Sequence, residues 1–457
     1  MLVRKFWIGG MYLEQIEKID PIKLGNLIRQ IRKKKGKRLT DLEDDYISAA
    51  SISNIERGKA TLKSPKVAYL CKKLKIDAPT IESLADDDHD KEDFLFQQLL
   101  GLEAIIEFDP DFALECLAKI TLTYLDELSV YAEYLIGKAY SYKRSWTNSK
   151  NHFLKAIEIV DGNPALQQTN YKAMSLIEIS RIYYFTNNPE QALEYAEKSC
   201  ESFQANGNRP ETKFVTLVCK AIYLDDLGRR DSSIGKHQEA LEVVEEVIAE
   251  QRNITNIDAL LSAYELKADL LRNLQLPEKA LPCALDGLKI ARANQSFDRS
   301  VDLWTELGQI YLDIGNVQKA KSSLETAIRF KRVVPERRFM ITYTTLGHVY
   351  AMEENWVEAE KYFQMVIDLI TPDTPVTRYI DAYIGLADCY LSHGQYTAAL
   401  EMYQFSLKKC KEHELYQKEN YVSIKRCECA AKLDETLFNK YLKELFSFQL
   451  RQLKIRP

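Results

Sequence analysis

An internal repeat confines this chain to a stacked architecture. The segment WTELGQIYLDIGNVQKAKSSLETAI places Trp304, Leu307, Gly308, Tyr311, Ala320, Leu324 and Ala327 at offsets that return about forty residues later. The copy YTTLGHVYAMEENWVEAEKYFQMVI carries Tyr343, Leu346, Gly347, Tyr350, Ala359, Phe363 and Val366; the next, YIGLADCYLSHGQYTAALEMYQFSL, carries Tyr383, Leu386, Ala387, Tyr390, Ala399, Tyr403 and Ser406. Weaker copies upstream run through Gly137, Tyr140, Phe153 and Ala156, then Ser180, Tyr183, Ala192 and Ala196, then Ala221, Leu224 and Gly228, then Ala268, Leu271, Ala280 and Ala284. Seven units result. Such units cannot bury an apolar face alone and must stack into an array. The small residue lets the two helices of a unit approach, and the aromatic or Leu fills the gap toward the next unit. With 457 residues the chain is too long for one ordinary core, and its 17 Gly and 13 Pro are too few for a strand-and-turn architecture. The expected class is all-α.

Charge then divides the chain. Residues 1–78 hold 18 Lys/Arg against 9 Asp/Glu, a net charge of +9, while the remainder holds 44 against 58, a net charge of -14. A small basic module on a large acidic body implies that the basic module meets a polyanion. The stretch ADDDHDKED, Ala85 to Asp93, reads as a solvated linker over 79–93. Residues 94–417 hold the repeats with a degenerate leading unit at 94–128. Terminal helices over 418–457 cap the array through Leu437, Tyr441, Leu445 and Phe446.

In the basic module, Leu24, Leu27, Ile28 and Ile31 follow helical spacing from Lys23 to Lys35, with Arg29, Arg32 and Lys33 on other faces and Gly36 as the stop. A second short helix fits Leu39 to Asp45. Ser48 then caps a third that runs to Arg57 and closes at Gly58, and Ser64-Pro65 starts a fourth. ISNIERGK, Ile52 to Lys59, with LIRQIRKKKG, Leu27 to Gly36, resembles the Cro/cI (XRE) helix-turn-helix family. That resemblance implies that the third helix enters the major groove of a double-stranded DNA operator, with Ala49, Ala50, Ser51, Ser53 and Asn54 toward the bases, Ile52 and Ile55 in the core, and Arg57 and Lys59 near the backbone. Thr40, Lys37 and Arg38 complete the candidate DNA contacts. The segment between Leu39 and Ile52 is about three residues shorter than the common form, and Thr40 stands where many members carry Gln. A basic bundle that binds a protein is the competing reading.

The repeats resemble the tetratricopeptide helix-turn-helix unit. The small residues, at 137, 180, 221, 268, 308, 347 and 387, are spaced by about 42 residues instead of about 34, so helices or loops are lengthened. The resemblance implies a right-handed superhelical solenoid with a concave groove lined by the first helix of each unit. Off the core stripe on those helices lie Tyr131, Tyr134, Lys138, Arg181, Tyr184, Glu265, Asp269, Arg272, Asn273, Asp302, Gln309, His348, Asp381 and Asp388. These groups suit an extended peptide, and the carboxylates favour one with Lys, Arg or a free amino end. For each residue alone, a solvated helix face is the competing reading.

Signatures of catalysis are missing: GxxxxGK, GxGxxG, HExxH and GxSxG do not occur. The six His, at 89, 152, 237, 348, 393 and 413, never reach metal-ligand spacing, and Cys427-x-Cys429 has no second pair. No enzyme, metal or cofactor is expected. Nine scattered cysteines read as reduced thiols, the apolar patch FWIGGMYL is too short for export or membrane insertion, and a cytoplasmic location is expected.

A helix-turn-helix module followed by tetratricopeptide units resembles the peptide-pheromone receptors of Gram-positive bacteria, the Rap, Rgg, NprR, PlcR and PrgX group. The resemblance implies a homodimer that regulates transcription in quorum sensing, with a short signalling peptide in the groove altering DNA binding. Two alternatives remain open: an adaptor that sequesters a protein such as a response regulator, and a constitutive repressor whose repeats only dimerise.

Overall fold

The computed structural model describes residues 21–59, 65–76, 78–120, 127–231, 234–371 and 374–455, and every element among them is helical. The chain divides into two compact units, residues 1–109 and 110–457.

In the first unit, α1 (Pro21–Lys34) ends at Gly36, whose φ of +66° suits a residue without a Cβ. The helix expected over Leu39 to Asp45 is only a 3-10 turn, Thr40–Leu42. Asp44 ends it: its carboxylate accepts from the backbone N–H groups of Tyr46 and Ile47, drawing the chain into a turn. Helix α2 (Ala49–Glu56) begins as expected, with Ser48 Oγ accepting from Ser51 N. Helix α3 (Pro65–Lys73) follows; the proposed Ser64 cap lies outside the described residues. Leu24, Ile28, Leu42, Ile52, Ile55 and Leu70 join in one buried cluster.

The acidic stretch is not a linker. Residues 78–105 form a single 28-residue helix, α4 (Ala78–Ile105), and the division between units falls at 109/110, not at 79–93. Pro79 sits in the first turn, where its missing N–H is harmless, and no Gly or Pro follows before Gly101 to stop the helix.

The second unit begins with α5 (Pro110–Lys119) and continues as eight antiparallel helix pairs. These are α6 (Glu127–Tyr142) with α7 (Trp146–Gly162), α8 (Tyr171–Phe185) with α9 (Pro189–Ser202), α10 (Glu211–Asp231) with α11 (Ile234–Ala249), and α12 (Ile257–Asn273) with α13 (Pro277–Ala293). Then come α14 (Phe297–Asp313) with α15 (Val317–Ile328), α16 (Met340–Met352) with α17 (Trp356–Asp368), α18 (Ile380–Ser392) with α19 (Tyr396–Glu412), and α20 (Tyr416–Leu433) with α21 (Glu435–Ile455). Helices as long as 21 residues and 3-10 turns such as Pro164–Thr169 and Glu336–Phe339 account for the long repeat.

The predicted small residues sit at the closest crossings. A Cβ on Gly137 would stand 2.7 Å from the Phe153 ring, and one on Gly308 2.6 Å from Leu324. Ser180, Ala221, Ala268 and Ala387 occupy the same place in their units and are fully buried. Adjacent first helices touch each other directly, from α6 through α18, and second helices make no comparable contact. The stack therefore curves with its first helices inward, which makes them the lining of the groove. In the terminal pair, Tyr441 is buried as expected, but Phe446 is 60% exposed.

Candidate functional site

Two sites arise from the two units. On the first, α2 presents Ala50, Asn54, Arg57 and Lys59 as exposed residues and Ala49, Ser51 and Ser53 as half-buried ones, while Ile52 and Ile55 face the core. Arg57 Nη2 donates to Ser53 Oγ at 2.7 Å, and the Ser48 and Ser51 hydroxyls lie 3.0 Å apart. Lys37, Arg38 and Thr40 are exposed on the preceding segment.

Arg32 departs from its expected place on an outer face. Its Nε and Nη2 donate to both Glu56 carboxylate oxygens at 2.6 and 2.9 Å, and Nη1 donates to the Lys37 carbonyl at 2.9 Å. The pair is buried and clamps the end of α2 onto α1. Close approach there requires Gly25, whose Cβ would lie 2.6 Å from the Ile55 carbonyl oxygen. On the other side, the Tyr69 hydroxyl donates to Asp44 at 2.7 Å and Lys73 also binds that carboxylate. These bonds hold Asp44 well below the usual carboxylate range. The end of α2 is thus held on α1 by the Arg32–Glu56 pair, its start is capped by Glu43, whose carboxylate accepts from Ala49 N at 3.2 Å, and the turn before it is held on α3 through Asp44.

On the second unit, most of the candidate peptide residues lie half-buried on the inward helices: Lys138, Arg181, Tyr184, Glu265, Asp269, Arg272, Asn273, Asp302, Gln309, His348, Asp381 and Asp388. Tyr131 and Tyr134 do not. Both are 5% exposed and pack on the Tyr171 ring at 5.7 and 5.9 Å, so they belong to the core between α6 and α8. Their spacing placed them off the stripe of their own unit, but the next unit covers them.

The predicted carboxylates are already engaged within the chain, most of them by cations. Arg229 binds Asp225 at 2.7 Å and also reaches Asp269 in the next unit. Arg272 donates to Asp313 at 2.7 Å, to Gln309 at 2.9 Å and to Glu306 at 3.2 Å. Arg299 grips Asp258 at 2.6 and 2.8 Å and Glu265 at 3.3 Å. Arg338 takes Asp302, Lys418 takes Asp381, and the Tyr403 and Tyr421 hydroxyls donate to Asp388. Each arginine here except Arg338 sits on a first helix, and most of these bonds cross from one unit to the next. Sequence reasoning missed Glu178, Asp225, Arg229, Arg299, Glu306 and Arg338. Some of this set was legible: Glu178 and Glu306 stand two before the small residue, and Asp225 and Arg229 four and eight after it, on the face of the recognised positions one after it.

Crowding in this ladder changes ionisation. Burial, then the neighbouring Asp302, pushes Glu265 up to about 8, and burial with Asp269 nearby pushes Glu306 up to about 7. Burial raises Tyr184 to about 12 and lowers His348, which packs edge-on against Phe363 at 5.1 Å. Burial opposes ionisation of Glu178, yet Lys138 at 3.3 Å and Arg181 at 3.0 Å hold it below its ordinary value.

Open space remains near the start of the array. A cleft of about 300 Å³ is bordered by Lys138, Tyr142, Arg144, Trp146, Glu178, Arg181 and Phe185. A neighbouring cavity of about 240 Å³ shares Arg181 and Phe185 and continues past Val215, Val218, Ile222 and Arg299. Among the described residues, no group of three or more His, Cys, Asp or Glu is placed to hold a metal, and no helix is long and apolar enough to cross a membrane.

Comparison with known proteins agrees with this architecture. Residues 301–333 and 338–412 match models of the tetratricopeptide repeat. No curated protein sequence matches the chain. Among solved structures, a Rap protein complexed with Competence and Sporulation Factor is similar, with a TM-score of 0.50, 14% identity, and coverage of 80% of this chain and 99% of that one. NprR in complex with its cognate peptide NprX gives a TM-score of 0.47 at 14% identity, over 78% and 88% of the two chains. A signal-transduction ATPase of the STAND class with a tetratricopeptide repeat sensor, from Pyrococcus horikoshii, gives 0.44 at 16% identity over 77% of this chain. This chain spans only 53% of that protein's length. The fold is an all-α tetratricopeptide-repeat solenoid.

Proposed function

We propose that the protein is a cytoplasmic, non-enzymatic transcriptional regulator in quorum sensing, which binds a double-stranded DNA operator through α2 and a short signalling peptide on the first helices of its repeats. The observation that carries this reading is the union, in one chain, of a basic module with an exposed helix anchored at both ends and an acidic solenoid with open inward clefts. On the DNA side, Asn54 supplies a carboxamide that can read adenine, Ala50 can touch a thymine methyl, and Arg57, Lys59, Lys37 and Arg38 neutralise phosphates. On the peptide side, a groove of this kind suits an extended chain. The likeness to the Rap protein, whose structure holds Competence and Sporulation Factor, is consistent with such a ligand.

Two-fold operators favour two copies of a helix-turn-helix protein. Leu442, Phe446 and Leu450 make an exposed apolar stripe at four-residue spacing on α21, and we assign it to homodimer formation. Peptide binding then changes the stacking of the units or the dimer arrangement, and with it the separation of the two α2 helices.

Footprinting of the full chain on the DNA upstream of its own gene tests this, at two salt concentrations, with and without synthetic peptides from neighbouring short reading frames. The expected result is salt-sensitive protection of a two-fold site that a peptide strengthens or abolishes. Absence of protection in every condition would overturn the DNA-binding reading and move an adaptor role, such as sequestration of a response regulator, to first place.

A further inference from the structure

The distribution of charge among the inward helices says what kind of peptide end the open space can take; this inference rests on the peptide-binding reading above. From α12 onward the carboxylates of the groove are bound by partners within the chain: Asp258 and Glu265 by Arg299, Asp302 by Arg338, and Glu306 by Arg272. They have little left to offer a cationic ligand. The balance is reversed at the cleft between α6 and α8. Two cations, Lys138 and Arg181, border it with one carboxylate, Glu178, and Arg144 lies on its exposed rim. Lys138 and Arg181 share that single carboxylate at 3.3 and 3.0 Å. A locally cationic cleft stands out in a region whose net charge is -14 beyond residue 78.

Aromatic and aliphatic groups adjoin it. The Trp146 and Phe185 rings stack with centroids 5.8 Å apart, and Phe185 is 61% exposed beside the cleft. The adjoining cavity of about 240 Å³, lined by Val215, Val218 and Ile222 together with Asn256 and the Asp258–Arg299 pair, exceeds the roughly 150 Å³ that admits a benzene ring.

We propose that this double cleft receives the anionic, apolar part of a peptide: a carboxylate seated between Lys138 and Arg181, with a bulky apolar side chain beyond Phe185. The carboxylate adds a second anion beside Glu178, the one carboxylate that Lys138 and Arg181 share at hydrogen-bond distance, and the apolar group lies against Val215, Val218 and Ile222. This reverses the expectation of a basic ligand, because the acidic groups behind that expectation are held in the ladder between units. A chain-terminal carboxylate and an Asp or Glu side chain offer the same chemistry.

The test incubates the full chain with an equimolar random heptapeptide library bearing free C-termini, and separately with the same library amidated, and identifies retained peptides by mass spectrometry. Peptides carrying Asp or Glu, or only the free terminus, beside a Leu, Ile, Phe or Trp are expected to be enriched about tenfold, as one charge-assisted hydrogen bond implies. Enrichment that disappears in the amidated library identifies the terminal carboxylate as the source; enrichment of Asp and Glu that persists identifies the side chain. Arg181→Gln should remove the acidic preference, and the exposed Arg144→Gln should weaken it. Phe185→Ala should remove the apolar preference and keep the acidic one. A thermal melt of each variant excludes misfolding. Enrichment of Lys- or Arg-bearing peptides, or selection unchanged in folded Arg181→Gln and Phe185→Ala, would overturn the inference and leave peptide binding standing. Retention of no peptide from either library would overturn the peptide-binding reading itself, and this inference with it.

Discussion

Replacing Gly347 by alanine tests why a small residue recurs in every unit. The new Cβ would stand 2.5 Å from Cε1 and 2.8 Å from Cδ1 and Cζ of Phe363, where carbon atoms prefer about 3.5–4.0 Å. Phe363 cannot retreat, because it is fully buried and the tip of its ring also lies against Gly385 on α18, where a Cβ would meet it even more closely. The ring is wedged between α16 and α18, and moving it must push α16 or α18 away from α17. Overpacking of this kind costs about 1–3 kcal/mol, and the better helix propensity of alanine returns at most about 1 kcal/mol. For a ring so confined the upper part of the overpacking range, about 2–3 kcal/mol, applies, and the expected net loss is about 1–2 kcal/mol.

Denaturant or thermal unfolding measures that loss, and hydrogen exchange locates it: faster exchange is expected in α16–α18, with little change in α6–α9. Adding Phe363→Leu to Gly347→Ala should recover some of the loss by shortening the side chain that clashes. Gly101 in α4 is the control, since no atom lies within 4 Å of its Cβ position; alanine there should be neutral or stabilise by up to about 1 kcal/mol. Gly347→Ala as stable as the parent, or a double variant no better than the single, would refute the reasoning that Phe363 imposes the small residue.

Three further outcomes are expected. Arg32→Ala leaves Glu56 buried without its partner and should destabilise the first unit by about 3–5 kcal/mol, read by unfolding; the paired change Arg32→Met with Glu56→Leu should recover most of it, and failure to recover would contradict the clamp. Because burial raises Glu306 to about 7 in the folded chain, its resistance to ionising costs stability as pH rises through about 4.5–7 and is relieved as pH falls. The melting temperature of Glu306→Gln relative to the parent should therefore increase from about pH 5 to about pH 8, and a pH-independent difference would count against it. On operator DNA, Lys37→Ala should weaken binding to all sequences alike and flatten the salt dependence, whereas Asn54→Ala should relax preference at one base pair at a cost of about 1–3 kcal/mol; identical behaviour of the two variants would contradict the assigned orientation of α2.

The array and its inner faces were legible because each unit repeats the same local packing problem. Gly137, Gly308 and Gly347 recur wherever a first helix meets a large side chain of its second helix, and the period alone exposes that. Ser48 and Gly58 marked the ends of α2 equally well, since caps are local. Other readings went astray where locality failed or was misjudged. The acidic run Ala85–Asp93 looked like a linker, yet nothing in it breaks a helix, and α4 runs straight through. Tyr131 and Tyr134 left the stripe of their own unit only to be covered by Tyr171 of the next.

The helical class, the repeat, the small residues at the crossings and the separation of basic from acidic regions all follow from spacings of a few residues and from composition, so the linear chain suffices to read them. Which charges remain available is a matter of tertiary structure alone. Arg299 reaches Asp258 across 41 positions and Arg32 reaches Glu56 across 24. Whether such groups meet depends on the rotation from one unit to the next, or on the angle between α1 and α2. A side chain's own neighbours in sequence do not report either quantity.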